Sequence, residues 1–102
     1  MKKKIRKLGT NKKPRISIFR SNKQIYVQVI DDINNNTITS YSSLKVKKKV
    51  KKMVMSEIVG KKIAKKMLKL NILEAFFDRK NYIYHGRIKN LINNIRLNGI
   101  KI

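Results

Sequence analysis

Cations and hydrogen-bond donors, rather than acids or nucleophiles, are the residues of this chain whose types and spacing could do chemistry. The first cluster is a basic N-terminal arm, which reads MKKKIRKLGTNKKPR. A flexible basic arm can follow a phosphate backbone and release its counterions. The alternative is a solvated tail that only keeps the chain soluble. We expect the arm to contact nucleic acid through Lys2, Lys3, Lys4, Arg6, Lys7, Lys12, Lys13 and Arg15.

Two further clusters fall where the pattern predicts loops. The first is a turn that offers a guanidinium fork, a hydroxyl, an amide and an ammonium group, namely Arg20, Ser21, Asn22 and Lys23. These groups suit phosphate, sugar and base edges, although serine and asparagine are also common in ordinary hairpin turns. The second cluster interleaves aromatic rings with cations, as suits unpaired RNA bases. Its candidates are Arg79, Tyr82, Tyr84, His85 and Arg87, although the histidine could instead cap a helix and the tyrosines could lie at the edge of the core.

The charge balance indicates a polyanionic partner. The chain has 27 Lys+Arg against 5 Asp+Glu in 102 residues, a formal net charge of +22, and a pI near 10.7. A compact chain with this excess repels itself unless an anion neutralises it, and a pI above about 9 is typical of nucleic-acid binding. Residues 45–52 and a lysine-rich helix face add to this charge, with only Glu57 opposing them. Such faces are usually solvated, so this fourth cluster does not locate the partner.

An enzyme is the class that the sequence disfavours. The chain has no cysteine, one histidine and five carboxylates. Asp31 and Asp32 are adjacent, so in an extended strand they point to opposite faces and do not converge on one metal. We therefore expect no catalytic residue, no metal site, no cofactor and no small-molecule substrate. No apolar run approaches the roughly 18 residues of a membrane span, and none follows residues 1–4 as it would in a secretory signal.

Alternating apolar residues predict three strands that would hold the turn cluster. Ile16 and Ile18 define the first strand, residues 25–30 form the second, and residues 37–42 form the third. A polar turn at residues 31–36, which ends in three consecutive asparagines, separates the last two strands. Short links of this kind predict an antiparallel meander.

Helical spacing follows from residue 50 onward. It predicts a helix at about 50–70 that buries Val50, Met53, Val54, Ile58, Ile63, Ala64, Met67 and Leu68. Asn71 is a left-handed cap for this helix, and Gly60 within it would allow a close approach to the sheet. Residues 72–77 predict a fourth, parallel strand, and Ile88, Leu91, Ile92 and Ile95 predict a second helix that ends near Gly99.

The fold class that these elements predict is α/β (α+β), in the order β-β-β-α-β-α. We expect a mixed sheet of about four strands with helices packed on it. The chain length fits a single globular domain, residues 15–102, preceded by a flexible basic arm, residues 1–14.

Two segments carry a resemblance to a known family. PRISIFRSNKQIYVQVIDD (residues 14–32) and FDRKNYIYHGRIKNLINNIRLNGI (residues 77–100) resemble the bacterial-type large-subunit ribosomal protein L-eighteen family. Between them, the serine pair at 42–43 and VGKKIAKK (residues 59–66) stand where that family has the end of its third strand and its first helix. The resemblance covers nearly the whole chain in the same order. Residues 45–55 are more basic than the family pattern and resemble it little.

The resemblance implies a structural protein that binds 5S rRNA and helps attach it to the large rRNA in the central protuberance. It also implies a neighbouring 5S-binding ribosomal protein as a partner, no catalytic activity, and a place in the ribosome of the cytoplasm or of an organelle. Carried over by position, the RNA-facing residues are Lys12, Lys13, Arg15, Arg20, Ser21, Asn22, Lys23, Arg79, Tyr82, Tyr84, His85, Gly86 and Arg87.

Two other functions remain open on the residues alone. A nucleoid-packing or RNA-chaperone protein would bind nucleic acid with the same salt dependence and without preference for 5S rRNA. A peripheral membrane protein would use the basic amphipathic helix at about 50–70 and bind anionic vesicles. We expect no membrane partner, because the apolar face of that helix is needed for the core.

Overall fold

A computed structural model describes residues 8–21, 24–77 and 86–102 of the chain. Its elements follow the predicted β-β-β-α-β-α order, with one short 3₁₀ turn inserted. They are β1 (Arg15–Arg20), β2 (Ile25–Asp31), β3 (Asn36–Ser42), the 3₁₀ turn (Ser43–Lys45), α1 (Lys52–Lys69), β4 (Phe76–Phe77) and α2 (Gly86–Leu97).

The four strands form one mixed sheet in the order β3-β2-β1-β4. β1 pairs antiparallel with β2, so that Ile16 lies opposite Val29 and Ile18 lies opposite Val27. β3 is antiparallel to β2, with a shift of register after Val29, and β4 is parallel to β1. The predicted α+β class, the antiparallel meander and the parallel fourth strand are all confirmed.

The core lies between one face of the sheet and the two helices. The apolar residues that alternate along β1 and β2 are fully buried there, as the period-two pattern requires. The helices contribute their apolar stripes to the same cluster, with Ile63 and Met67 from α1 and Leu91 and Ile95 from α2. Four of the apolar residues predicted for the face of α2, at positions 88, 91, 92 and 95, are therefore in the core.

The buried face of α1 differs from the prediction. The helix spans Lys52–Lys69, close to the predicted bounds, but Met53, Val54 and Leu68 are exposed. The buried positions are 56, 59, 60, 63, 64 and 67, which recur at helical spacing. Two of them are Ser56 and Gly60, so a search for apolar residues alone places the face incorrectly.

Gly60 allows a close approach to α2, and the predicted approach to the sheet is wrong. A Cβ atom at this position would lie 2.7 Å from the carbonyl oxygen of Leu91 and 2.9 Å from the Cβ atom of Asn94. The two helices therefore cross where α1 has no side chain. This contact sets how closely the helix pair packs.

Both helices end in the same left-handed cap. Asn71 has a φ of 59° and Gly99 a φ of 104°. After each of them, the next residue donates its amide to a carbonyl in the last helical turn, from Ile72 to Met67 and from Ile100 to Ile95. These are Schellman caps, and they satisfy carbonyls that the helix cannot. Both predicted helix ends are confirmed.

The fourth strand is shorter than predicted, since only Phe76–Phe77 pairs with β1 rather than all of residues 72–77. The cause is competition for backbone groups. Lys101, after α2, donates its amide to the carbonyl of Leu73 and accepts the amide of Ala75. Residues before 76 therefore pair with the C-terminal segment instead of β1.

Candidate nucleic-acid interface

Asp32 fixes the base of the N-terminal arm. Its Oδ2 atom accepts the Gly9 amide at 2.7 Å and the Arg15 Nε at 2.9 Å, while its Oδ1 atom accepts the Arg15 Nη2 at 3.0 Å. The Asp32 amide donates in return to the carbonyl of Gly9. Only 11% of the Arg15 side chain and 17% of the Asp32 side chain are exposed. Arg15 therefore has a structural partner as well as its predicted contact to RNA.

Glycine is required where the arm meets the sheet. A Cβ atom on Gly9 would clash with the backbone nitrogen of Arg15 and the carbonyl oxygen of Ile30. Pro14 is buried, and its carbonyl accepts the amide of Phe76. The segment from 9 to 14 thus packs against the sheet before the chain enters β1.

Lys12 and Lys13 lie on an exposed turn within this segment. The turn is closed by two hydrogen bonds of 3.1 Å, from the Thr10 amide to the Lys13 carbonyl and from the Lys13 amide to the Thr10 hydroxyl oxygen. The two ammonium groups are therefore presented to solvent from a defined place beside the sheet.

The turn between β1 and β2 also has a defined start. Arg20 and Ser21 are exposed, and the Ser21 amide donates to the Gln24 carbonyl at 2.9 Å. The Gln24 amide in turn donates to the Ser21 hydroxyl oxygen at 3.2 Å. Next to the turn, the buried Ser43 hydroxyl accepts the Ile25 amide and donates to the side chain of Gln24. Ser43 therefore ties the end of β3 to the start of β2.

Arg87 joins two of the predicted clusters. Its Nη2 atom donates to the carbonyl oxygen of Ser21 at 2.9 Å. This hydrogen bond joins the start of α2 to the residue that follows β1. Gly86, just before it, is exposed, has a φ of 60°, and has open space around its Cα. The structure thus places the first turn of α2 beside the β1–β2 turn.

Several predicted contacts lie outside the described residues and stay predictions. They are Lys2, Lys3, Lys4, Arg6, Lys7, Asn22, Lys23, Arg79, Tyr82, Tyr84 and His85.

The face of the sheet opposite the helices carries an aromatic pair that the sequence analysis did not identify. The rings of Phe19 and Tyr26 have centroids 6.2 Å apart, and 40% of Phe19 is exposed. Gln28 donates to the Tyr26 hydroxyl at 3.2 Å, and a hydrogen bond from Ser40 lowers the pKa of Tyr26 below its usual value of 10.0. The alternation that predicted the buried face also assigns these residues to the opposite face. Exposed rings on a sheet can stack on bases.

The two adjacent carboxylates each hold part of the fold. Asp31 is buried and caps the β2–β3 turn, where it accepts the amides of Ile33 and Asn34, and Asp32 binds the arm. Within the described residues, no group of three His, Cys, Asp or Glu side chains could hold a metal ion. None of the described helices is long and apolar enough to cross a membrane.

The family model and the relatives that match this chain all name the same ribosomal protein family. A family model described as ribosomal L18 of archaea, bacteria, mitochondria and chloroplast matches residues 1–102. The chain is 47% identical over 93 residues to the large ribosomal subunit protein uL18 of Porphyromonas gingivalis, covering 91% of this chain and 82% of the relative. It is 44% identical over 103 residues to uL18 of Azobacteroides pseudotrichonymphae, covering 99% and 90%. It is also 45% identical to uL18c of Gracilaria tenuistipitata var. liui, covering 99% of both chains.

Proposed function

This chain belongs to the ribosomal L18 family, and on that premise we propose that it is a structural rRNA-binding protein of the large ribosomal subunit. Its RNA partners are 5S rRNA and the large rRNA, and it helps attach the first to the second in the central protuberance, beside another 5S-binding ribosomal protein. The family match over residues 1–102 supports the place in the ribosome. The family is a structural class without catalytic activity, which agrees with the structural use of both adjacent carboxylates.

One observation supports the RNA-binding site above all others, the contact between Arg87 and Ser21. The sequence suggested the turn and the loop as separate clusters. Because the contact brings Arg87 against Ser21, these two residues share one surface. An RNA bound there would meet the guanidinium groups of Arg20 and Arg87 together.

The arm offers a second set of cations at the opposite end of β1, and its base is fixed. The Arg15–Asp32 ion pair and the Gly9 amide anchor the segment from which Lys12 and Lys13 project. The lysines neutralise phosphate charge, while the anchored backbone determines where they do so. Phosphate contacts of this kind position a protein on RNA, and contacts to base edges and unpaired bases supply the preference.

The affinity for RNA should depend strongly on salt whether the binding is specific or not. Salt dependence therefore does not distinguish this proposal from a non-specific nucleic-acid-binding protein. If the chain makes roughly 6 to 10 phosphate contacts, its affinity falls about 10³- to 10⁵-fold between about 50 and 200 mM salt. A nucleoid-packing protein or RNA chaperone would show the same slope.

The decisive experiment measures preference. Binding to 5S rRNA is compared with binding to an unrelated structured RNA of equal length, at about 150 to 200 mM salt with excess competitor tRNA, where the non-specific electrostatic contribution is weakened. We expect a clear preference for 5S rRNA. Equal binding to the two RNAs would reduce the function to charge-driven RNA binding.

The membrane alternative conflicts with the packing of α1. A helix that lies on a lipid surface inserts its apolar face. Here that face is in the core, where Val59, Ile63 and Met67 are fully buried. Anionic vesicles are therefore expected to bind the protein more weakly than RNA does, which a co-sedimentation assay checks.

A further inference from the structure

The segment between the 3₁₀ turn and α1 concentrates positive charge that the proposed site does not use. Between residues 45 and 52 the chain carries six lysines, all of them exposed: Lys45, Lys47, Lys48, Lys49, Lys51 and Lys52. No acidic residue occurs from 33 to 56, so no carboxylate nearby in sequence opposes them. Such a cluster is self-repelling in the free protein.

This lysine segment, residues 45–52, borders two open grooves. The larger groove, of about 690 Å³, is lined by Gln24, Ser43, Leu44, Val46, residues 47–51 and Met55. The smaller, of about 380 Å³, is lined by Tyr41, Lys45, Val46, Lys47, Lys48, Ile58 and Lys62. Val46, Lys47 and Lys48 line both grooves and therefore form the ridge between them.

The larger groove begins at the β1–β2 turn. Gln24, which lines it, is the residue that closes that turn by accepting the Ser21 amide. Ser21 is in turn held by Arg87. The groove is thus a continuation of the surface that contains Arg20, Ser21 and Arg87.

The lining of the groove suits a nucleic-acid strand. Its charged side chains are all lysines, which pair with phosphates as flexible point charges. Among its apolar residues, Leu44 is 74% exposed and can contact sugars or base faces. An acidic peptide would fit the charge, but the continuity with the turn favours the RNA already proposed to bind there.

We propose that the lysine segment is a second contact surface for the sugar–phosphate backbone of 5S rRNA, continuous with the β1–β2 turn. This inference rests on the proposed function and extends it to residues that resemble the family little. Phosphates in the groove neutralise the lysine cluster, and the segment lengthens the path that the RNA follows on the protein.

The first test compares two triple variants of equal charge. Lys47→Gln, Lys48→Gln and Lys49→Gln together change the segment, and Lys61→Gln, Lys65→Gln and Lys69→Gln change exposed lysines of α1 that line neither groove. Affinity for 5S rRNA is measured over a series of salt concentrations. Each lost phosphate contact lowers the slope of log affinity against log salt by about 0.7 to 0.9.

The segment variant is expected to lose about 2 units of slope and to bind 5S rRNA about 10- to 100-fold more weakly at about 150 mM salt, while the control loses less than about 3-fold. Equal losses in the two variants would overturn the inference. If the unchanged protein shows no preference for 5S rRNA over the unrelated RNA, the proposed function itself fails. Far-ultraviolet circular dichroism of each variant verifies the fold.

A second test locates the RNA directly. Because the chain has no cysteine, Lys48→Cys and Lys65→Cys each provide a single attachment site for a chelated iron that generates hydroxyl radicals. In a complex with 5S rRNA and a large-rRNA fragment, the probe at 48 is expected to cleave 5S rRNA more strongly than the probe at 65. Cleavage confined to the large-rRNA fragment, or equal cleavage from both positions, would contradict the proposal.

Discussion

The Nη2 atom of Arg87 donates a hydrogen bond of 2.9 Å to the carbonyl oxygen of Ser21, 66 positions earlier in the chain. This contact joins the first turn of α2 to the β1–β2 turn. A guanidinium has five N–H donors in a planar fork, so one can hold the turn while others meet a phosphate. We therefore expect Arg87 both to position the turn and to bind RNA, which a lysine at the same place cannot do as well.

Replacement of Arg87 tests this double role. Arg87→Ala removes a charge and the contact that holds the turn, and we expect 5S rRNA affinity to fall about 10- to 100-fold, as for loss of a charge-assisted hydrogen bond. Lys69→Ala, on an exposed part of α1, should cost less than about 3-fold, the usual scale for one solvated charge. Filter binding at constant salt measures both. Equal losses of affinity in the two variants would show that the guanidinium of Arg87 contributes no more than one solvated charge. Arg87→Lys should restore only part of the affinity.

The sequence predicted the elements because their side chains alternate or recur with the period of the backbone. Ile16 and Ile18 on β1 are buried as predicted, and both helices end at Asn71 and Gly99 as predicted. The errors arose where tertiary contacts decide. The amide and carbonyl of Lys101 shorten β4, and Gly60, which has no side chain, is the point of α1 that lies against Leu91 of α2.

Residue types alone predict the turn and the loop as RNA contacts, and both stay predictions. The contact between Ser21 and Arg87 could not be predicted, because it depends on a pairing of distant positions that no local pattern shows. The ion pair between Arg15 and Asp32 could not be predicted either. In the sequence, Asp32 is only one half of an adjacent acidic pair. Its role as the anchor of the arm depends on how the segment from residue 9 folds back.

Removal of the Asp32 carboxylate should destabilise the domain. Asp32→Ala leaves the largely buried guanidinium of Arg15 without its bidentate partner and leaves the Gly9 amide unpaired. Breaking a buried ion pair by removing one partner costs about 3 kcal/mol. Urea unfolding measures the free energy of unfolding.

Glu74→Ala is the matched control. It also removes one negative charge, from an exposed side chain, and should change the stability by less than about 0.5 kcal/mol. Similar midpoints for the two variants would exclude the anchoring role.

Gly60→Ala should destabilise the protein even though alanine is the better helix former. The propensity difference would favour alanine by about 1 kcal/mol. The new methyl group would lie 2.7 Å from the Leu91 carbonyl oxygen, which is backbone and cannot rotate away. Overpacking of this kind costs about 1 to 3 kcal/mol, so we expect a net loss. Lys65→Ala, on the exposed side of the same helix, is the control. A higher thermal midpoint for Gly60→Ala would show that the helices do not cross so closely.

Tyr26 provides a prediction for alkaline pH. The hydrogen bond from Ser40, then that from Gln28, lowers the pKa of Tyr26 below 10.0 in the folded protein. Its ionisation therefore adds stability that is complete above the pKa of the unfolded chain and is lost as the pH falls through the folded pKa. An ultraviolet titration of the unchanged protein minus that of Tyr26→Phe isolates this group. Ser40→Ala should raise the pKa of Tyr26, whereas Ser42→Ala should leave it in place. An unchanged pKa in Ser40→Ala would assign the shift to another group.

Substitution of Lys51, at the start of α1, is expected to raise the stability of the domain and to weaken RNA binding. Lys51 is the N-cap residue of α1, its side chain makes no capping hydrogen bond, and the first turn of the helix has no acidic residue. Lys51→Ser supplies a hydroxyl cap and removes a cation from the positive end of the helix dipole, which together stabilise the domain by about 1 kcal/mol. Lys69→Ser, at the other end of α1, removes a favourable cation and should lower stability by about 0.5 kcal/mol. Thermal unfolding distinguishes the expected gain of stability from the expected loss.

Because Lys51 lines the larger groove, Lys51→Ser should also weaken 5S rRNA binding more than Lys69→Ser does. A variant that gains stability and keeps full affinity would show that the charge at Lys51 does not contact the RNA.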